Sequence, residues 1–261
     1  PGLDVEGEIT TLDGGGLETA RFSRIRAGDW LNAAVSLTGN GRGRAPDIAV
    51  TGGTIDLRAI PGGGGGGGPV RLALDRLVVS AGIAMTDFRG EFDTRGGMTG
   101  RFAARVNGGG AIAGTITPSE RGNVIRITSD NAGAVMASAG VFDQGRGGSL
   151  DLTLVPRGPK GHFDGRASFA RMRVQGAPAL AELLSAISVV GLLEQMNGEG
   201  LAFNSGDVSF ILTPEAVEIT QGSAVGASLG ISFAGLYQSG GGRLDLQGVI
   251  SPIYLVNGLG Q

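Results

Sequence analysis

His162 is the sole histidine of the chain. It stands between Gly161 and Phe163 in a run that reads as a strand. An imidazole acting as general base needs a proton donor or an orienting carboxylate within reach, and no motif supplies one. We read it as a surface or strand-edge residue. Cysteine is absent, which removes a thiol nucleophile, a disulfide framework and a thiolate zinc site. No Gly-x-Ser-x-Gly elbow occurs. The glycine runs at 14–16, 62–68, 108–110 and 240–242 precede no Lys-Ser/Thr pair, so none reads as a phosphate-binding loop. Asp and Glu are scattered on alternate positions and read as solvated charges rather than a calcium site. Trp30, beside Asp29, reads as a packing anchor. The expectation is that the protein is not an enzyme and holds no metal or cofactor.

The residues that repeat at a fixed spacing are apolar, and the chemistry open to them is burial of hydrocarbon. Val208, Phe210 and Leu212 alternate with polar or smaller neighbours. So do Val217 and Ile219, then Leu229, Ile231 and Phe233, then Leu244 and Leu246, with Ile250 further along. A period of two puts such residues on one side of a strand. These eleven positions are the candidate lining of a lipid-binding groove. Burying one such side chain contributes roughly 1.5–3 kcal/mol, so each strand needs a cover for its apolar face. A second sheet would serve, and so would lipid chains.

The elements that position them follow from the same grammar. Thr213-Pro214-Glu215 breaks the first two strands apart. Alternation recurs at Leu3–Ile9, Thr54–Arg58, Leu72–Val79, Phe102–Val106, Ile112–Ile116, Val124–Ile127, Leu150–Leu154 and His162–Phe169. Asn107-Gly108-Gly109-Gly110 makes a hairpin turn between two of these. Short spacings favour antiparallel neighbours. The chain therefore reads as mainly β, a large, antiparallel, strongly curved or twisted sheet of many short strands, groove- or taco-like. Glycines inside the strands, at 100, 114, 165, 230, 235 and 248, fit tight twist, or a concave face with room for a guest. One amphipathic helix interrupts the pattern near 178–196. Leu180, Leu183, Leu184, Ile187, Val190 and Met196 share a face, and Pro178 suits its first turn. It carries Glu182 and Glu194 but no basic residue, which suits a core or end-cap helix better than one lying on anionic lipid.

The chain has 261 residues, 51 of them glycine, with 41% hydrophobic and 5% aromatic content. Lys+Arg is 21 and Asp+Glu is 24, for a formal net charge of −3. No positive field exists to engage nucleic acid. The glycine lacks the period of a collagen. The apolar content argues against disorder. No run reaches the ~18 apolar residues of a membrane-spanning helix, and Pro1-Gly2-Leu3-Asp4 is not a leader, so the chain reads as a soluble piece of something longer. Gly62–Gly68 would behave as a flexible linker, either native or engineered. It divides strands at 1–61 from a larger β-domain at 69–261.

A family resemblance rests on the run from Pro178 to Ser188, then Gly191-Leu-Leu, then Asn197-Gly-Glu-Gly-Leu-Ala-Phe203. Asp207–Thr213, Val217–Gly222, Leu229–Gly235 and Leu244–Pro252 extend it, with Gly53–Arg58 as a weaker match. Together these resemble the C-terminal region of AsmA-like proteins of Gram-negative bacteria, over about residues 70–257. The resemblance implies an inner-membrane-anchored, largely periplasmic protein of the cell envelope, similar to bridge-like lipid-transfer proteins. It implies phospholipid acyl chains as the cargo, carried passively between inner and outer membranes. A structural or assembly module of the envelope, with a closed β core and no cargo, is the other reading. The sequence does not indicate an oligomeric state.

Overall fold

The computed structural model describes residues 2–60, 67–186, 198–227, 229–238 and 243–252. Strand makes up 67% of it, in one mixed sheet, with two short helices. The strands are β1 (Leu3–Thr11), β2 (Leu17–Ala27), β3 (Leu31–Thr38), β4 (Asp47–Asp56), β5 (Pro69–Val78), β6 (Ala84–Asp93), β7 (Thr99–Val106), β8 (Ala111–Ser119) and β9 (Gly122–Ser129). After helix α1 (Ala132–Ser138) come β10 (Gly145–Pro156) and β11 (Phe163–Val174). Helix α2 (Pro178–Ala186) then leads to β12 (Leu201–Leu212), β13 (Ala216–Gly226), β14 (Leu229–Gln238) and β15 (Arg243–Pro252). Hydrogen-bonded order equals chain order, with β1 and β15 at its two ends. The chain forms two compact units, Pro1–Arg126 and Ile127–Gln261.

From β1 to β8 and from β10 to β15 neighbouring strands are antiparallel, with one departure. β4 and β5 are parallel, from Ile48↔Val70 to Asp56↔Val78. A parallel neighbour cannot be reached by a tight turn, because the chain must first return along the strand it has just left. The connection after β4 contains the glycine run. Residues 61–66 of the connection lie outside the described residues.

The helix expected near 178–196 is present as α2 over Pro178–Ala186, with Leu184 fully buried. Its expected continuation through Ile187, Val190, Gly191, Glu194 and Met196 lies outside the described residues. Sequence periodicity did not reveal α1. Asn131 caps it, its side-chain oxygen accepting from the Ala134 N–H at 3.0 Å. A Cβ on Gly133 would lie 2.5 Å from the Gly145 carbonyl oxygen, so glycine there lets α1 sit directly on β10.

A candidate lipid-facing surface

Residues paired across a sheet share a face, so the register assigns sides. In the first unit four rows run across the strands, two of them from β1 to β8. One runs Gly7, Phe22, Val35, Val50, Leu72, Gly90, Phe102, Gly114. The next runs Ile9, Ala20, Leu37, Ile48, Val70, Phe92, Gly100, Ile116. On the other side stand Val5, Ile25, Ala33, Leu74, Phe88, Ala104, Ile112, and beyond them Leu3, Ala27, Leu31, Ile55, Leu77, Met85, Val106. No charged, hydroxyl or amide side chain stands in any row. The opposite face carries the charges, as in the row Glu8, Arg21, Ser36, Ala49, Arg71, Glu91, Arg101, Thr115.

The second unit repeats the arrangement across β10 to β15. Its rows are Leu154, Gly165, Phe210, Ile219, Gly235, Leu246; then Leu152, Ala167, Val208, Gly222, Phe233, Gly248; then Leu150, Phe169, Gly206, Ala224, Ile231, Ile250. The end row is Pro156, Phe163, Leu212, Val217, Tyr237, Leu244. Together with Leu229, paired with Pro252 at the far end of β14, all eleven groove candidates thus fall on one face. Their covering differs. Leu229 is 1% exposed, and Leu244 and Leu246 are 52% and 42% exposed. Val208, Phe210, Leu212, Val217, Ile219, Ile231, Phe233 and Ile250 are half-buried.

The rows of the first unit were missed as candidates. The signal was present in Leu3-Asp4-Val5-Glu6 and its relatives, but one chain gives no register, and a strand slipped by one residue swaps its faces. Burial is graded there too. Leu74 on β5 is 0% exposed, while Leu3 and Ile9 on β1 are 71% and 63% exposed.

Glycines in these rows serve the aromatic rings beside them. A Cβ on Gly114 would lie 2.3 Å from the Phe102 ring, and one on Gly165 2.2 Å from the Phe210 ring. Gly206 stands in the same relation to Phe169, and Gly222 to Phe233. Each ring lies flat over its cross-strand glycine, which fills the gap a missing side chain leaves and keeps the surface low. Phe88 and Phe102 also stack, with ring centroids 5.5 Å apart.

Two creases bend the sheet. In β4, β5 and β6 the alternation is broken at one level by paired residues, Gly53-Thr54, Asp75-Arg76 and Thr86-Asp87. Register is unbroken among these three strands and shifts on either side, between β3 and β4 and between β6 and β7. A bulge bends its strand and increases twist; three in line bend the sheet along a common line. Gly53 and Asp87 sit there with φ of +69° and +51°, and the Asp75 carboxylate accepts the Gly53 N–H at 2.7 Å. In the second unit the line crosses β10 to β12 at Gly148 (φ +77°), Arg171 (φ +55°) and Asn204, with a register shift between β12 and β13. The Tyr237 hydroxyl on β14 donates to the carbonyl of Gly140, in the loop between α1 and β10, at 3.4 Å.

Polar features lie elsewhere. A polar recess of about 460 Å³ is lined by Asp143, Gln144, Arg146, Gln175, Gly176 and Gly198. Its main internal bonds are Arg146 Nη1 to the Asp143 and Gly145 carbonyls at 2.5 and 2.8 Å. His162 lies in the turn between β10 and β11, with Nδ1 3.4 Å from the Lys160 carbonyl. Trp30 is half-buried, and its carbonyl accepts the Asp56 N–H at 2.8 Å. No acidic or histidine cluster among the described residues could hold a metal ion, and no described helix is long and apolar enough to cross a membrane.

Two Asp-x-Arg turns terminate strands in the same way. The Arg58 backbone N–H donates to Asp56 Oδ1 at 2.9 Å and its guanidinium closes a bidentate pair; Arg95 does the same to Asp93. The Arg58 guanidinium lowers the Asp56 pKa. The Arg95 guanidinium, helped by its backbone N–H, holds Asp93 at about 2. Asp93 therefore stays ionised as pH falls through the ordinary carboxylate range, and the turn loses its charge only near pH 2. In Arg95→Leu, a carboxyl NMR titration of Asp93 is expected to move up toward the ordinary value of 3.8; an unmoved midpoint would assign the shift to another cause.

The fold defines an open mixed β-sheet in which each of the two units carries an apolar face without charged side chains, creased across its strands. In comparisons with family models, curated proteins and solved structures, nothing matches the chain. The AsmA-like resemblance therefore stands on the residues quoted for it.

Proposed function

We propose that the chain is a lipid-binding element of an AsmA-like envelope protein, holding phospholipid acyl chains against the apolar rows and passing them along passively in the periplasm. The observation that supports this most is the absence of any charged or amide side chain from the rows within each unit, where the one hydroxyl, that of Tyr237, is itself hydrogen-bonded. A structural sheet tolerates an occasional Thr, Ser or Lys on its inner face at an edge; hydrocarbon sliding along a surface does not, because each buried unpaired polar group costs free energy. Direction in such a conduit comes from the membranes at its ends, and the protein supplies no chemical step. The half-exposed rows of β13 to β15 and the exposed apolar residues of β1 are the places where acyl chains would make contact.

A structural envelope module with a closed core is favoured by one observation. Leu74, Phe88 and Phe102 of the first unit are already buried without added lipid. Native mass spectrometry after detergent-free purification separates the two. The lipid reading expects phospholipid-sized adducts that organic extraction removes and added phospholipid restores. A chain that carries no lipid and takes none up is the structural module.

A further inference from the structure

We propose that the free edge of β1 accepts a further strand, and that the strand it fits alternates apolar residues with Arg or Lys. β1 ends the hydrogen-bonded order, so no described strand pairs with its outer side. All nine of its residues are exposed. Leu3, Val5 and Ile9 extend the apolar rows to this edge, and no described strand covers them there. Asp4, Glu6 and Glu8 line the other face. They stand opposite Arg26, Arg24 and Arg21 of β2, but none of the three carboxylates makes an ion pair among the described residues. Each is left able to accept a cation from the open side.

The charge pattern also selects against other occupants. A second copy pairing β1 to β1 would set carboxylates against carboxylates, which is destabilising for directly opposed strands. Acidic strands are excluded on the same ground. β15, the other end of the order, mixes Arg243, Asp245, Gln247 and Val249 on its polar face and selects nothing by charge. β2 is the natural template, because it already satisfies β1 on the inner side with Ala20, Phe22 and Ile25 on one face and Arg21, Arg24 and Arg26 on the other. Strand addition supplies affinity through main-chain hydrogen bonds and specificity through alternate side chains.

The probe is a capped synthetic peptide with the β2 sequence, residues 17–27, added to the whole chain at low salt and followed by amide hydrogen exchange. Protection is expected across Leu3–Thr11 and not across Arg243–Pro252. A peptide with its three arginines replaced by glutamate is expected to bind on the order of tenfold more weakly or worse. The protein variant Glu6→Lys/Glu8→Lys is expected to lose the native peptide and gain the glutamate one. Because the peptide arm leaves the protein unaltered, it reads the edge even where that variant folds poorly. Absence of protection in β1 overturns the proposal and leaves the carboxylates as guards against edge pairing. Equal binding of both peptides, or equal protection at β15, overturns it as well, since both mark unselective edge adhesion. None of these outcomes depends on lipid.

Discussion

Leu244→Asp/Leu246→Asp is expected to abolish acyl-chain binding while leaving the protein folded. Both side chains belong to the apolar rows, yet they are 52% and 42% exposed, so the new carboxylates remain in water when no lipid is present. Surface substitutions of this kind usually shift stability by about 0.5 kcal/mol or less. With lipid seated on the rows the carboxylates would be covered without partners, at a cost of several kcal/mol per ion. Since ~1.4 kcal/mol is a factor of ten, the pair should weaken binding by at least ~100-fold. The measurement is uptake of a phospholipid with a fluorescent acyl chain, read beside a urea unfolding curve. Val249→Asp is the control. It lies on the same strand, is 63% exposed and faces the other side, so its uptake should match the unsubstituted chain. Undiminished uptake in the double variant would remove the lipid reading. Equal loss in the control would mean that added charge, and not the apolar rows, governs uptake. Phe210 and Ile231 are poorer sites for this test because they are half-buried, and a charge there would unfold the strand before it could report on lipid.

The alternation that makes these strands was legible in the chain, because a period of two survives in any local window. Asp207–Leu212, Leu229–Phe233 and Arg243–Ile250 all lie within strands of the structure. The antiparallel meander followed from turn residues such as Thr213-Pro214-Glu215. What escaped has non-local causes. The parallel pairing of β4 and β5 depends on a long return connection, and composition marks such a segment as flexible without saying where it leads. Helix α1 is seven residues long, too short for a 3.6-residue period to show, and its Gly133 reads as a helix breaker until β10 is seen beneath it. The glycines at 114 and 165 were read as sites of twist or space, which caught their smallness and missed its object. Each is small because a particular phenylalanine on the adjacent strand lies over it, and that pairing exists only in register. The creases were hidden for the same reason. Asp75-Arg76 or Thr86-Asp87 alone looks like a lapse in alternation, and the lapses acquire meaning only when strand pairing brings them to one level.

Those creases give the second large effect. Gly53→Ala is expected to be among the most destabilising single substitutions in the first unit, on two independent grounds. Its φ of +69° places a non-glycine residue in the left-handed region, at a cost of roughly 1–2 kcal/mol. Its Cβ would also lie 1.9 Å from the Asn32 carbonyl oxygen, a backbone atom of β3 that can yield only if the two strands part. Separating them breaks ladder hydrogen bonds near Asn32↔Thr54 and loosens the Asp75 bond to the Gly53 N–H, so the total should exceed ~4 kcal/mol, in the range reserved for structural disruption. Gly52→Ala isolates the first ground. Its φ is almost the same, +67°, but the nearest atom to a new Cβ is Asp75 Oδ2 at 3.8 Å. It should cost only the backbone strain, about 1–2 kcal/mol. Urea midpoints at constant slope rank the two. If they fall together, the crease is held by conformation alone. If Gly53→Ala is the larger by several kcal/mol, close contact between β3 and the bulged β4 is what holds the crease, and the crease is built on a glycine that no other residue can replace.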